Sequence, residues 1–407
     1  MTSRPESCGA HALAYSVAPG VQGGLGHHAA QVLDACRESL VSLTAFGPAP
    51  DASLHRGVTI AAPPQFSPDW KRRYTWRRYL HGAGQMEADQ CFGRWLAERC
   101  GPGFTSLYVF TQIALEALST LRDRGTAHIL DNPNGHIRDF HDAIQREAGL
   151  WLSTPYPGHP TLRMVERVEA EYSQANRIRV ASSWAADSMA ARGVDRSRID
   201  VVPHAVDLQR FIPASRADRN DGTLRIVFVG SLSLGKGFQY LLGAVRMLHT
   251  RRIAVRIVGA TGDPWCRRLF TRLAAGLNVS VEPGDPCAAY RDADVLVLPT
   301  LHDGFGFVVA EAMASGVPVI TTEKCGAAEW LEHGTTGWVV PAGDASILAS
   351  AIEEAALLGP RLREMGSAGR SRVETFAGAD TRRALVQLVR RHLSTASPVN
   401  GVPELVV

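Results

Sequence analysis

Val295-Leu296-Val297-Leu298-Pro299 is followed by Thr300-Leu301-His302 and then by Asp303-Gly304-Phe305-Gly306-Phe307-Val308-Val309-Ala310-Glu311-Ala312-Met313-Ala314-Ser315-Gly316. The apolar run up to Pro299 reads as a buried strand of a parallel sheet. Gly304 and Gly306 keep the next loop slim, and a helix opens around Phe307. Backbone N–H groups at such a helix start face a cleft and suit a diphosphate. Glu311 lies one turn into that helix, within reach of a sugar or ribose hydroxyl. Asp303 sits eight positions earlier, on the loop. Either acid alone reads equally well as an ordinary loop or helix residue.

Working outward, the same strand–loop–helix unit recurs. In the second half, residues 224–229, 252–258 and 279–282 read as strands. In the first half, residues 13–17, 107–110, 128–130 and 177–181 do so, with helices expected over 28–40 and 161–175. Alternating strands and helices predict an α/β fold with parallel sheets. The polar run 215–222 between the halves suits a linker. The expected organisation is a Rossmann-like domain over 1–214, a second over 215–380, and a C-terminal helix and tail over 381–407 that can pack back on the first domain. Ligands of open α/β sheets sit at the carboxyl ends of strands, so the chemistry belongs in the cleft between the two domains.

Two further loops stand at strand ends. Gly20-Val21-Gln22-Gly23-Gly24-Leu25-Gly26 precedes a helix, but lacks the lysine of a Walker loop and the spacing of a dinucleotide fingerprint. A structural turn explains it as well as a ligand loop does. Val229-Gly230-Ser231-Leu232-Ser233-Leu234-Gly235-Lys236-Gly237 sets a lysine between glycines at a helix start. Such a lysine reaches a phosphate as a point charge, or is solvated.

Composition narrows the class. The 407 residues are 45% hydrophobic and 20% charged, with a formal charge of +3, which fits a soluble globular chain and not a dedicated nucleic-acid binder. No apolar stretch reaches the length of a membrane span, and the polar start, Met1 to Gly9, does not read as a secretory signal. Seven scattered cysteines without a Cys-x-x-Cys pair suit free thiols in a reducing cytoplasm.

Together these motifs resemble the retaining glycosyltransferases of family 4 (glycosyl transferases group 1), which have the GT-B fold: two Rossmann-like domains whose parallel sheets face each other across a cleft. Their order and spacing carry the resemblance over most of the chain: Gly23 to Gly26, Val202-Pro203-His204-Ala205-Val206-Asp207, Gly235-Lys236-Gly237, Val258-Gly259, Ala293-Asp294-Val295, the Asp303…Glu311 helix, Gly316-Val317-Pro318-Val319-Ile320, and Gly337-Trp338-Val339-Val340-Pro341.

The resemblance implies a nucleoside-diphosphate sugar as donor substrate in the C-terminal domain and a hydroxyl-bearing acceptor in the N-terminal one. It matches Lys236 to the donor diphosphate, Glu311 to the nucleotide ribose, Asp303 to the donor sugar hydroxyls, and Gly306 with Phe307, Val308 and Val309 to the backbone on the diphosphate. Gly23, Gly24 and Gly26 match the loop that closes over the donor, and His136 resembles the histidine beside the reacting sugar. Three departures stand out. Ser231 takes the place of a common arginine beside the diphosphate, so His302 or an N-domain arginine is expected to make up the charge. Asp303 replaces a glutamate, and Ala205 a glycine, which bears on the local turn. No metal and no cofactor are expected.

The function expected is sugar transfer with retention, by a cytoplasmic enzyme. A sugar-phosphate synthase of the same fold and a non-catalytic nucleotide-binding scaffold are the alternatives. The basic-aromatic run Asp69-Trp70-Lys71-Arg72-Arg73-Tyr74-Thr75-Trp76-Arg77-Arg78-Tyr79-Leu80 suits a solvated helix, an acceptor lip or peripheral contact with an anionic membrane.

Overall fold

The computed structural model describes residues 10–19, 24–48, 57–62, 83–101, 103–122, 124–152, 154–156, 160–214, 221–249, 251–376 and 379–394. Gly23 and the basic-aromatic run at 69–80 lie outside the described residues.

The first half runs β1 (Ala10–Ala14), α1 (Gly24–Ser39), β2 (Leu43–Phe46), β3 (Thr59–Ala61), α2 (Ala83–Arg99), β4 (Phe104–Phe110), α3 (Leu115–Arg122), β5 (Ala127–Asp131), α4 (Ile137–Trp151), α5 (Leu162–Gln174), β6 (Arg177–Val180), α6 (Ser183–Ala191) and β7 (Ile199–Val201). The second half runs β8 (Thr223–Val229), α7 (Phe238–Met247), β9 (Arg252–Val258), α8 (Pro264–Ala274), β10 (Val279–Glu282), α9 (Pro286–Asp292), β11 (Val295–Leu298), α10 (Phe307–Ala314), β12 (Val319–Thr322), β13 (Gly337–Val340), α11 (Ala345–Leu358), α12 (Arg361–Phe376) and α13 (Ala379–Leu393).

These form two wholly parallel sheets, ordered β3-β2-β1-β4-β5-β6-β7 and β10-β9-β8-β11-β12-β13. Each is doubly wound. The strand order reverses between β1 and β4 in one sheet and between β8 and β11 in the other, and such switch points open a crevice at the carboxyl edge. The central strands are apolar on both faces because helices cover both: all four residues of β11 are buried.

Local sequence sets the helix starts. Thr161, Ser182, Asp263 and Asp344 cap α5, α6, α8 and α11 with side-chain oxygens, and Pro264 opens α8 at a position that needs no N–H. The first strand ends at Ala14, short of the expected Val17, as the chain leaves the buried layer at Ser16. Helix α1 starts at Gly24, four residues before the expected His28, so Gly24 and Gly26 belong to its first turn and not to a loop.

Two elements tie the halves together. Leu385, Val386, Leu388, Val389 and Leu393 of α13 lie in one buried cluster with Leu13, Tyr108 and Ile129 of the first sheet; each such side chain contributes roughly 1.5–3 kcal/mol. In the other direction, Ile144 and Ala148 of α4 enter the core of the second domain. Among the described residues, no helix is long and apolar enough to cross a membrane.

Candidate active site

A cleft of about 880 Å³ lies between the carboxyl edges of the two sheets. The first sheet contributes Gly24 and His27 after β1, Thr111 and Gln112 after β4, and residues 132–135 after β5. The second contributes Gly230, Ser231 and Lys236 after β8, Gly259 after β9, Asp285 after β10, and Asp303, Gly306, Phe307, Val308 and Glu311 after β11.

Lys236 ends a 3-10 turn that the next residues hold rigidly. Gly237 has φ +75°, and a Cβ there would stand 1.8 Å from the Pro299 carbonyl oxygen, so only glycine fits. The Gly235 carbonyl accepts from the Leu301 N–H at 2.8 Å and the Thr300 hydroxyl at 2.9 Å. Lys236 Nζ donates to Asp303 Oδ2 at 2.5 Å. Burial works against the ammonium charge, but the Asp303 carboxylate outweighs it and raises the Lys236 pKa above the usual range.

Gly306 (φ +82°) turns the chain into α10, and a Cβ on it would meet Cys325 Sγ at 2.4 Å. The Phe307 ring stacks on His204 at 4.4 Å between centroids. A Cβ on Gly24 would come within 2.6 Å of Phe307 Cδ2. The starts of α1 and α10, one from each domain, are therefore packed together at the cleft, and both present the positive end of a helix dipole. Glu311 follows on α10, 9% exposed. Burial raises its pKa to about 7, against the Tyr290 hydroxyl that donates to Oε2 at 3.1 Å.

The floor is a buried polar network. His28 Nε2 lies 2.8 Å from Asp131 Oδ2, and the Tyr108 hydroxyl donates to the same carboxylate. Burial would raise the Asp131 pKa, but His28 and Arg179 beside it hold it below the usual range. Arg179 Nη2 lies 3.2 Å from His204 Nδ1, which fixes the ring that backs Phe307.

Of the residues expected from sequence, Gly24, Ser231, Lys236, Asp303, Gly306, Phe307, Val308 and Glu311 line this one cleft. Gly26 and Val309 are buried inside their helices, off the lining. His136 is 3% exposed and caps α4: its Nδ1 accepts from the Arg138 N–H at 3.2 Å, and its ring packs on Tyr172. It is not among the residues lining the cleft.

His302 cannot supply the charge missing at Ser231. It stacks on Phe140 and meets Trp184 edge-on, neither ring nitrogen has a hydrogen-bond partner among the described residues, and burial lowers its pKa to about 4. Ala205 does not adopt a positive φ, so the turn there needs no glycine; its N–H and carbonyl pair with the Gln31 side chain at 3.3 and 2.8 Å.

An N-domain arginine was expected without a position, and Arg210 is the one that lines the cleft; Gln112 was not expected at all. Gln112 lines the cleft with φ +80°, rare for a side-chain-bearing residue. The buried Glu171 carboxylate holds it there, accepting from the Thr111 hydroxyl (2.8 Å) and from the N–H groups of Gln112 (2.7 Å), Ala114 (3.0 Å) and Leu115 (3.2 Å). The distance of 59 residues between Gln112 and Glu171 leaves no local signal to read.

Residues 223–356 match the family model described as Glycosyl transferases group 1. The second sheet domain carries the group 1 glycosyl transferase signature. The group 1 match is joined by two relatives. One is the D-inositol 3-phosphate glycosyltransferase of Pseudarthrobacter chlorophenolicus, 32% identical over 222 residues, which are 50% of this chain and 53% of that protein. The other is the putative colanic acid biosynthesis glycosyltransferase WcaL of Salmonella typhimurium, 32% identical over 203 residues, 45% of this chain and 49% of that protein. The chain spans about half the length of these curated relatives.

Solved structures extend the likeness over the whole fold. The sucrose-phosphate synthase of Thermosynechococcus elongatus superposes with a TM-score of 0.68 at 20% identity, covering 94% of this chain and 98% of that one. Anabaena HepE in complex with UDP and glucose gives 0.65 at 15% identity, covering 95% and 100%. The fold is GT-B, with the group 1 signature in its second domain.

Proposed function

We propose that this protein is a retaining, metal-independent glycosyltransferase that moves a sugar from a nucleoside-diphosphate sugar to an acceptor hydroxyl. The observation that carries the reading is convergence: Lys236, the start of α10 and the acid pair Asp303 and Glu311 meet in one cleft at the carboxyl edges of both sheets. The group 1 signature and the UDP and glucose bound to HepE agree with it.

In this reading the diphosphate lies between the starts of α1 and α10, on the N–H groups at Phe307 and Val308, with Lys236 and the Ser231 hydroxyl as further donors. Glu311 accepts from the ribose. Asp303, released from Lys236 by the phosphate, accepts from the donor sugar. The bond from the anomeric carbon to the phosphate oxygen breaks, and its electron pair stays on that oxygen. The acceptor hydroxyl attacks on the same face and its proton passes to the leaving phosphate. Charge grows on the leaving group, so preorganised donors aimed at it are the main catalytic device. The acceptor enters from the first domain, past Gln112 and Asn134. We assign the reaction to the cytoplasm, and residues 70–79 to an acceptor or membrane contact.

Calorimetric titration with UDP, GDP, ADP and dTDP tests the reading. Binding of one of them, lost on adding the matching nucleotide sugar in excess, supports it. No binding by any of the four overturns it.

A further inference from the structure

Among the described residues lining the cleft, the lysine and arginine side chains are Lys236 and Arg210. Each is paired with a carboxylate of the second domain. Lys236 Nζ holds Asp303 at 2.5 Å, and Arg210 Nη2 holds Asp285 Oδ1 at 3.0 Å. A diphosphate brings at least two negative charges, and Ser231 offers only a hydroxyl. We infer that Arg210 is a second phosphate-binding residue, supplying from the crossover between the two sheets the positive charge that Ser231 does not carry. The inference rests on the nucleotide-sugar reading above.

The crossover is built to aim this side chain. The Asp207 carboxylate accepts from the N–H groups of Gln209 (3.0 Å) and Arg210 (2.9 Å), which fixes the turn. Phe211 is buried just behind, and the guanidinium lies 5.1 Å from its ring centroid. The charged end then spans the gap between domains, from His27 Nε2 on α1 (3.3 Å) to Asp285 at the start of α9. The side chain remains 33% exposed. Its charge also stabilises the ionised form of Glu311, so it acts beside the ribose acid.

A guanidinium has five donors, stays charged at any working pH and forks onto phosphate oxygens. Exchange of Asp285 for phosphate would repeat at Arg210 the exchange of Asp303 for phosphate at Lys236. A purely structural strut joining α1, the crossover and α9 would be built from the same contacts, and the test separates the two.

Calorimetry is run on the wild type and on Arg210→Gln, Arg210→Lys and Arg210→Gln/Ser231→Arg. The probes are the tightest-binding of the four nucleoside diphosphates and its parent nucleoside. Arg210→Gln should weaken the diphosphate on the order of tenfold or more and leave the nucleoside within about twofold. Arg210→Lys should fall between, and Ser231→Arg should restore most of the loss in the double variant. If Arg210→Gln does not fold, Ser231→Arg in the wild type should still tighten the diphosphate, and Arg210→Lys should still weaken it selectively. Unchanged diphosphate affinity, or equal losses for diphosphate and nucleoside, overturns the inference and leaves the nucleotide reading standing. Absence of any binding by the wild type overturns both.

Discussion

Lys236 and Asp303 follow two different strands, β8 and β11, yet Nζ and Oδ2 lie 2.5 Å apart. The contact fixes the position of both side chains, and the Asp303 carboxylate favours the charged form of Lys236. In the proposed reaction, replacing Lys236 with alanine removes a charge-assisted donor to the leaving phosphate. Transfer should fall about 10²–10³-fold, on the order of 2–4 kcal/mol of transition-state stabilisation. Steady-state kcat/KM with the working donor reads this directly, and unimpaired turnover would remove Lys236 from the mechanism.

The contact between Gly24 and Phe307 leaves no room for a side chain, since a Cβ would sit 2.6 Å from the ring. Gly24→Val should push the start of α1 off the start of α10. Donor KM should rise several-fold, and the overpacking should also cost about 1–3 kcal/mol of stability. Equal donor KM in the two proteins would show that the two helix starts do not act together.

Glu311 carries a pH signature. Burial raises its folded pKa to about 7, above the ordinary glutamate value of 4.5 that serves for the unfolded chain. A raised acid binds its proton more tightly when folded, so its contribution to stability is full below pH 4.5 and is lost as pH rises through about 7. Glu311→Gln removes that loss. The variant should be more stable than the wild type at pH 8 and indistinguishable from it near pH 4. Thermal melts across that range check the sign, and a variant less stable at pH 8 contradicts it.

Much of this site was legible because its residues sit at the ends of apolar runs. The stretch 295–299 and its glycine loop announce a buried strand turning into a helix, and Asp303, Phe307 and Glu311 do line the cleft. Gly24 was legible as a cleft residue but not as a helical one, since glycine is a poor helix former and the tight packing on Phe307 that selects it comes from the other domain. The strands over residues 43–46, 59–61 and 199–201 are too short to show a period, and pairing with long neighbours is what makes them strands. Arg210, Gln112 and the Asp131 network were illegible for the same reason: their partners lie 75, 59 and 103 residues away.

His136 caps α4 between two residues that line the cleft, Gly135 and Ile137. Its ring closes the first turn of α4 and is not part of the cleft lining. Asparagine can provide the same cap. His136→Asn should keep transfer within about twofold, whereas His136→Ala should lower stability by about 1 kcal/mol. Collapse of transfer in a stably folded His136→Asn protein would return the residue to the reacting sugar.

The most direct test of the whole account is turnover itself. Purified protein is incubated with UDP-, GDP-, ADP- and dTDP-sugars, with and without a mixed acceptor extract, and released nucleotide and glycosylated product are measured together. The account predicts release from one donor, stimulated by the extract, with one sugar transferred per nucleotide and the anomeric configuration kept. Tight nucleotide binding with no release from any donor and any extract would contradict it and make the cleft a nucleotide-binding site without transfer.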